Sequence, residues 1–154
     1  MKNESGRSMI EMLGVLAIMG VITVGAIGMI STAMRTQKRN AVNEEVLQIV
    51  TGVRQLLGEY DDFSHINNTT IFGAIGMSPK NTYGGGYELA VDPSNSRQFI
   101  VSITGLSNTD CEYFVTKAWS DSVGYQKSDG KQGGATGSCN LGNGRNIVKI
   151  TYGE

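Results

Sequence analysis

The sequence has few of the residues that interrupt helices or build metal sites. Both prolines lie after residue 78, and the chain has two cysteines and a single histidine, His65. Because proline breaks a helix, its absence from the N-terminal half permits one very long helix there. One histidine and no zinc-like cysteine spacing provide no ligand cluster, so we expect no metal and no other cofactor.

Charge is missing from one long segment near the N-terminus. No charged residue lies between Glu11 and Arg35. The apolar run from Met12 to Met34 would be about 35 Å long as a helix, enough to cross the hydrocarbon core of a membrane. No second run of this kind follows. The sequence therefore predicts one membrane helix that carries one soluble domain.

Motifs for catalysis are also missing. No nucleophile motif surrounds a serine, and the segments GGGYE and GKQGGATG lack the spacing of a phosphate-binding loop. The basic residues are scattered and the sequence pI is about 5.8, which is not typical of a nucleic-acid-binding surface. We therefore expect neither an enzyme nor a nucleic-acid partner.

Beyond Arg35, apolar residues recur at spacings of three and four, the pattern of an amphipathic helix. They are Ala41, Val42, Val46, Ile49, Val50, Val53, Leu56, Leu57 and Tyr60. The simplest interpretation is a single helix from about Ser8 to about Tyr60. The alternative is a hairpin of two helices with a break between Thr36 and Asn40.

The remaining residues predict a small sheet and a short helix. Alternating apolar residues indicate strands at Tyr87 to Val91, Gln98 to Thr104 and Ile147 to Tyr152. Two stretches, Asp61 to Gly86 and Ser120 to Asn146, are rich in turn-forming residues and predict irregular connections. We expect an α+β fold in which the long helix packs on a small antiparallel β-sheet.

The spacing Ser107-x-x-Asp110 predicts the start of the short helix. A serine at this position accepts a hydrogen bond from the first-turn amides, and the aspartate complements the helix dipole. The predicted buried face of this helix consists of Cys111, Phe114, Val115, Ala118 and Trp119.

The N-terminal string Gly6-Arg7-Ser8-Met9-Ile10-Glu11, which leads directly into the apolar run, resembles the class III signal of type IV pilins. In that family a prepilin peptidase cuts after the glycine and leaves the apolar helix on the mature chain. The resemblance implies a cut between Gly6 and Arg7, followed by N-methylation of the new terminus. Arg7 stands where the family usually has an apolar residue.

The same resemblance implies a role for Glu11 in filament assembly. The free amine of Arg7 would pair with Glu11 of a neighbouring subunit, and a buried carboxylate satisfied at only one axial offset would set the register. Small residues allow close helix packing in the filament core. The candidates are Gly14, Gly20, Gly25 and Gly28, and the alternative is that membrane helices tolerate glycine generally.

Flanking charges and the signal disagree about topology. The positive-inside rule alone would place the C-terminal domain in the cytoplasm, because three cations follow the apolar run. These cations are Arg35, Lys38 and Arg39. We give more weight to the signal and the cysteines. They imply insertion in the bacterial inner membrane with the domain outside the cytoplasm, and later a place in an extracellular pilus.

The C-terminal region is similar to the domain of the type IVb pilins, which include toxin-coregulated and conjugative thin-pilus subunits. The similarity rests on the strand and turn from Phe99 to Ser107, on Cys111 in the following helix and on a later cysteine. It implies a pilin α/β-roll. In an exported domain the two cysteines most simply form one disulfide, Cys111 with Cys139, and the alternatives are free thiols or a metal-bound pair.

The sequence thus predicts a leader at 1–6, a transmembrane and filament-core segment at 7–34, an amphipathic continuation at 35–60 and a globular head at 61–154. The implied function is that of a structural subunit of a pilus used for adhesion, conjugation or related surface processes. Its partners would be further copies of itself, the prepilin peptidase and an assembly platform in the inner membrane. The alternatives are a minor pilin or pseudopilin of a secretion system and a membrane-tethered binding domain. The loop from Ser120 to Asn146 is the predicted partner-facing surface.

Overall fold

The structure is a computed structural model that describes residues 2–127 and 139–153, with side chains described at 6–125 and 139–153. Part of the predicted partner-facing loop, residues 128–138, lies outside the described residues. Contacts within the chain divide it into two units, with the boundary between Lys38 and Arg39.

One continuous helix, α1 (Lys2–Leu57), forms the N-terminal part of the chain. The prediction of a single helix is therefore confirmed, and the hairpin alternative is wrong. The helix ends three residues before the predicted end. Gly58 follows it, and the amide of Tyr60 donates to the carbonyl of Leu57 at 3.0 Å in the turn.

The second half of α1 contributes one apolar stripe to the core of the head. Most of the predicted stripe is buried: Val42, Val46, Ile49, Val50, Val53 and Leu57. Two predicted members, Leu56 and Tyr60, are 42% and 56% exposed, so their assignment to the buried stripe was wrong. Leu56 lines an open surface groove together with Ala74 and Ile75. Tyr60 follows the helix end, where helical spacing no longer applies.

A four-stranded antiparallel sheet faces this stripe. Its strands are β1 (Tyr87–Asp92), β2 (Asn95–Leu106), β3 (Ser122–Lys127) and β4 (Asn146–Gly153), in the order β1-β2-β4-β3. The two central strands place alternate side chains in the core, with Phe99 opposite Tyr152 and Val101 opposite Ile150. The predicted α+β fold, with the long helix on a small antiparallel sheet, is thereby confirmed.

Two elements were missed by the sequence analysis. Helix α2 (Asn68–Ile75) lies in the predicted irregular connection. Its first turn is capped by the side chain of Asn67, which accepts from the amide of Thr70 at 3.3 Å, and Gly76 ends it at a φ of 66°. Strand β3 lies in the second predicted connection. The prediction of irregular structure was therefore wrong at both places.

Helix α3 (Asn108–Thr116) begins as predicted. The hydroxyl of Ser107 accepts a hydrogen bond from the amide of Asp110 at 3.2 Å. Cys111, Phe114 and Val115 are fully buried, but the helix ends before Ala118, which is exposed, so its predicted burial was wrong. Trp119 is buried after the helix has ended, and its indole N–H donates to the carbonyl of Phe114 at 2.9 Å.

The loop before β1 is held against the end of β2 by Asn81. Its side-chain oxygen accepts from the amides of Tyr83 and Gly85 at 3.0 and 3.1 Å, and its side-chain nitrogen donates to the carbonyl of Thr104 at 2.8 Å. The loop thereby places the ring of Tyr83 edge-on to Phe114, with 6.1 Å between the ring centroids.

The helix pair α1 and α2 packs closely at Gly52. A β-carbon added there would overlap the side chain of Ile75, whereas one added at Gly73 in α2 would meet nothing within 4 Å. We expect Gly52→Ala to lower the free energy of unfolding by about 1 to 2 kcal/mol through overpacking. Gly73→Ala should raise it by about 0.5 to 1 kcal/mol, because alanine favours a helix.

The measurement is urea unfolding of the full chain in detergent micelles, followed by fluorescence of Trp119, the single tryptophan and a member of the core. Equal stability of the two variants would contradict the close approach at Gly52.

Candidate functional site: the N-terminal helix and its junction with the head

The first half of α1 carries a long apolar surface. Every large apolar side chain from Met9 to Met34 is at least 53% exposed. No other described part of the chain covers this surface. Apolar surface on this scale marks a membrane or protein interaction site.

The polar side chains within the apolar run bond to their own helix. The hydroxyls of Thr23, Ser31 and Thr32 donate to the carbonyls of Met19, Ile27 and Gly28 at 2.7, 3.0 and 3.2 Å. A hydroxyl satisfied in this way needs no partner from water or from another chain. Of the helices that the structure describes, only α1, over Gly6–Leu57, is long and apolar enough to span a membrane.

Glu11 lies near the start of this surface, one helical turn after Arg7. In the single chain the Nε of Arg7 is 3.9 Å from a carboxylate oxygen of Glu11, and the two side chains are 85% and 72% exposed. Such an exposed pair contributes little to stability. The carboxylate is therefore accessible to a further partner, and its pairing with a neighbouring Arg7 amine stays a prediction.

The four glycines of the apolar run have no role in packing within the chain. A β-carbon at Gly14, Gly20, Gly25 or Gly28 would meet nothing within 4 Å. The fold of the single chain therefore does not require glycine at these positions. Their predicted role in contacts between chains stays a prediction.

The junction of α1 with the head is organised by Arg39, a residue that sequence reasoning assigned only to the flank of the membrane helix. Its guanidinium contacts one carboxylate oxygen of Asp110, at 3.1 Å from Nε and 3.0 Å from the nearer terminal nitrogen. The second carboxylate oxygen accepts from the hydroxyl of Ser107 at 2.7 Å. The guanidinium carbon also lies 4.1 Å from the ring centroid of Tyr113.

This pair lies in a largely buried environment, since the two side chains are only 20% and 12% exposed. The hydroxyl of the neighbouring Tyr83 is buried without a hydrogen-bond partner among the described residues. Burial, with the nearby Asp110 charge, raises the pKa of Tyr83 to about 12. The role of Arg39 had a signal in the sequence, because it precedes Val42 and Val46 at the spacings of the buried stripe.

A second polar contact joins α1 to the sheet. The hydroxyl of Tyr87 in β1 donates a short hydrogen bond to the carboxylate of Glu45. Burial first, and then this hydrogen bond, raises the pKa of Tyr87 well above its usual value. Glu45 was another residue that the sequence analysis did not single out.

The two cysteines form a disulfide between α3 and the segment before β4. Cys111 and Cys139 have their α-carbons 5.8 Å apart, and both are buried. The next residue of α3, Glu112, accepts a hydrogen bond from the amide of Cys139 at 2.6 Å. Three consecutive residues of α3 therefore make these contacts. Asp110 binds α1, and Cys111 and Glu112 bind the segment before β4.

Among the residues that the structure describes, no three histidine, cysteine, aspartate or glutamate side chains lie close enough to hold a metal ion. Comparison with known protein families and with characterised proteins found no match to this chain.

The junction gives a testable difference between two ion pairs of α1. We expect Asp110→Asn to lower the free energy of unfolding by about 3 kcal/mol, because it leaves Arg39 buried without a counter-charge. The matched control is Asp121→Asn. It breaks the pair of Asp121 with Arg54, whose side chains are 73% and 43% exposed. Because the pair is exposed, this substitution should lower the free energy of unfolding by less than about 1 kcal/mol.

Both variants are measured by urea unfolding of the full chain in micelles, with Trp119 fluorescence as the signal. If the two substitutions lowered the free energy of unfolding equally, the pair of Arg39 and Asp110 would not be the main polar contact between α1 and the rest of the head.

Proposed function

We propose that the chain is a type IV pilin subunit, type IVb-like, which prepilin peptidase cuts after Gly6 and which polymerises through α1 into a surface filament. One observation carries the proposal. The signal-like string from Gly6 to Glu11 runs directly into a helical apolar surface that no described part of the chain covers.

The chemistry of this surface is compatible first with a membrane and then with a polymer. An apolar helix of this length is stable in lipid, where its hydroxyls are already satisfied by its own backbone. In a filament the same side chains would be covered by α1 helices of other copies. Both environments remove the apolar surface from water. This removal makes the dominant favourable contribution to the free energy of membrane insertion and of assembly from water.

Glu11 adds specificity to this general attraction. A carboxylate in a membrane-like environment is costly, by about 2.5 to 3.5 kcal/mol at the membrane centre and by less near the helix end. Cleavage after Gly6 creates an amine at Arg7 that can neutralise Glu11 of a neighbouring copy. Only copies at the correct axial offset gain this pairing, so the charge pair would set the register.

The head supports an extracytoplasmic location. A buried disulfide between Cys111 and Cys139 fits an oxidising compartment. We infer that the chain is first a single-pass protein of the bacterial inner membrane, with its head outside the cytoplasm. An assembly platform would then transfer it to a filament that acts in adhesion, conjugation or related surface processes.

The decisive experiment is co-expression of the chain with a prepilin peptidase, followed by intact-mass measurement with and without reduction. We expect the parent to lose MKNESG and to be two hydrogens lighter before reduction. The variant Gly6→Ile should keep the leader, because a branched side chain replaces the glycine at the cut. An uncut parent would contradict the proposal and would favour a membrane-tethered binding domain.

The second experiment tests Glu11 in cells that also express an assembly platform. We expect Glu11→Gln to be cut normally but to yield filaments at a level at least about tenfold lower, because the charge pair is lost. Filaments are sheared from the cells and measured by sedimentation and electron microscopy. Glu4→Gln is the matched control, since Glu4 leaves with the leader, and it should not change the yield. Normal filament yield from Glu11→Gln would exclude the register role.

A further inference from the structure

The turn that leads into β4 contains the only asparagine of the sequence that is followed directly by a glycine, Asn143-Gly144. Asparagine is a chemically labile side chain, because the backbone nitrogen of the next residue can attack its amide carbon. A glycine in the next position favours this attack, since it has a flexible backbone and no side chain to hinder the approach. Asn143 is exposed to solvent. These features indicate a site of spontaneous deamidation.

The reaction needs no co-reactant other than water. The backbone nitrogen of Gly144 gives up its proton and bonds to the side-chain carbon of Asn143. The side-chain nitrogen takes up a proton and leaves as ammonia. Water then opens the cyclic imide at either of its carbonyls, which gives aspartate or isoaspartate without any oxidation or reduction. Either product carries a new negative charge.

The fold restrains the nitrogen that would attack. The amide of Gly144 donates to the carbonyl of Leu106 at 3.1 Å, and Leu106 is fully buried. An amide held in such a hydrogen bond gives up its proton only when the bond opens. In the folded head the reaction therefore requires a local opening of the turn.

The turn is held closed by Asn146, which is fully buried. Its side-chain nitrogen donates to the carbonyls of Leu106 and Gly142 at 3.2 and 2.9 Å, and to the side-chain oxygen of Asn108 at 2.8 Å. Its side-chain oxygen accepts from the amide of Leu141 at 3.2 Å. The oxygen of Asn108 also accepts from the amide of Gly142 at 3.2 Å. This network connects the turn to the end of β2 and to the start of α3.

The geometry of the turn requires the glycine that makes Asn143 labile. Gly144 has a φ of 77°, in the left-handed region, where a residue with a side chain is strained. A β-carbon there would meet nothing within 4 Å, so the strain would lie in the backbone alone. The fold thus retains a labile pair of residues and restrains it by hydrogen bonds.

We propose that Asn143 is a deamidation site that the folded head keeps closed, and that the reaction marks copies whose head has opened. The inference goes beyond the proposed function and does not depend on polymerisation. The isoaspartate product adds a methylene group to the main chain of the turn. The mark therefore also changes the turn that Asn146 holds.

The first test compares the folded full chain in detergent micelles with the same chain unfolded in urea after reduction of the disulfide, both at neutral pH. Peptide mass spectrometry measures conversion of Asn143 to the acid, and an isoaspartyl methyltransferase measures the isoaspartate. We expect conversion in the folded chain to be at least about a hundredfold slower. Equal rates in the two states would overturn the closing role of the fold, and no reaction in urea would overturn the site.

The control for the chemistry is Asn143→Gln. Its longer side chain would have to form a larger and less favoured ring, so residue 143 should stay unmodified in both states. Conversion of this variant as fast as the parent would overturn the imide route.

A second pair of variants tests the turn within a folded head. Asn108→Ala removes the oxygen that accepts from Gly142 and Asn146, and it should raise the rate of conversion in the folded chain at least about tenfold. The matched control is Thr109→Ala, which changes the exposed neighbour in α3 and should leave the rate unchanged. Unchanged Trp119 fluorescence establishes that both heads are folded. Equal rates in the two variants would overturn the role of the turn.

Gly144→Ala separates the chemistry from the fold. In urea it should slow conversion of Asn143, because the methyl group hinders the attack. In the folded chain it should lower the free energy of unfolding, because alanine is strained at this φ. Conversion in urea as fast as in the parent would overturn the attack by the Gly144 nitrogen, and unchanged stability would overturn the requirement for glycine.

Discussion

An apolar helical surface that its own chain does not cover must be covered by something else, and the rest of the molecule is consistent with that requirement. From Met9 to Met34 the helix offers large apolar side chains on all sides. The core of the head consists of other side chains, from the stripe between Val42 and Leu57, the sheet and the short helices. The chain is therefore built for an environment of lipid or of other protein chains around its N-terminal half.

The same helix changes its role over a few residues. At Arg39 it begins to make contacts typical of a globular core: an ion pair with Asp110, a ring contact with Tyr113 and a hydrogen bond from Tyr87 to Glu45. The N-terminal half of α3 is central to this arrangement. Asp110 holds α1, and the adjacent Cys111 and Glu112 hold the segment at Cys139. Polar contacts of this kind set the position of the helix more narrowly than apolar packing alone.

Local patterns predicted most of the fold, and contacts between distant residues account for what they missed. The charge-free run, the stripe from Val42 to Leu57, the alternation in β2 and β4 and the cap at Ser107 are local signals. Strand β3 exists because it pairs with β4, which no local pattern around Gly124 indicates. Helix α2 had its signals, Asn67 before it and Gly76 after it, but asparagine is as typical of turns as of caps. Arg39 lies at the spacings of the buried stripe, but its counter-charge is Asp110, 71 positions away, which no pattern near Arg39 indicates.

The three hydroxyls of the apolar run have a consequence for how the helix can change its surroundings. Each one is bonded to a carbonyl four residues earlier in the same helix. Moving the helix from a bilayer to a protein interior would therefore exchange only dispersion contacts, with no hydrogen bond to break on leaving and none to form on arrival. A transfer of this kind meets little enthalpic resistance along the apolar run, and the main polar cost of the path falls on the carboxylate of Glu11.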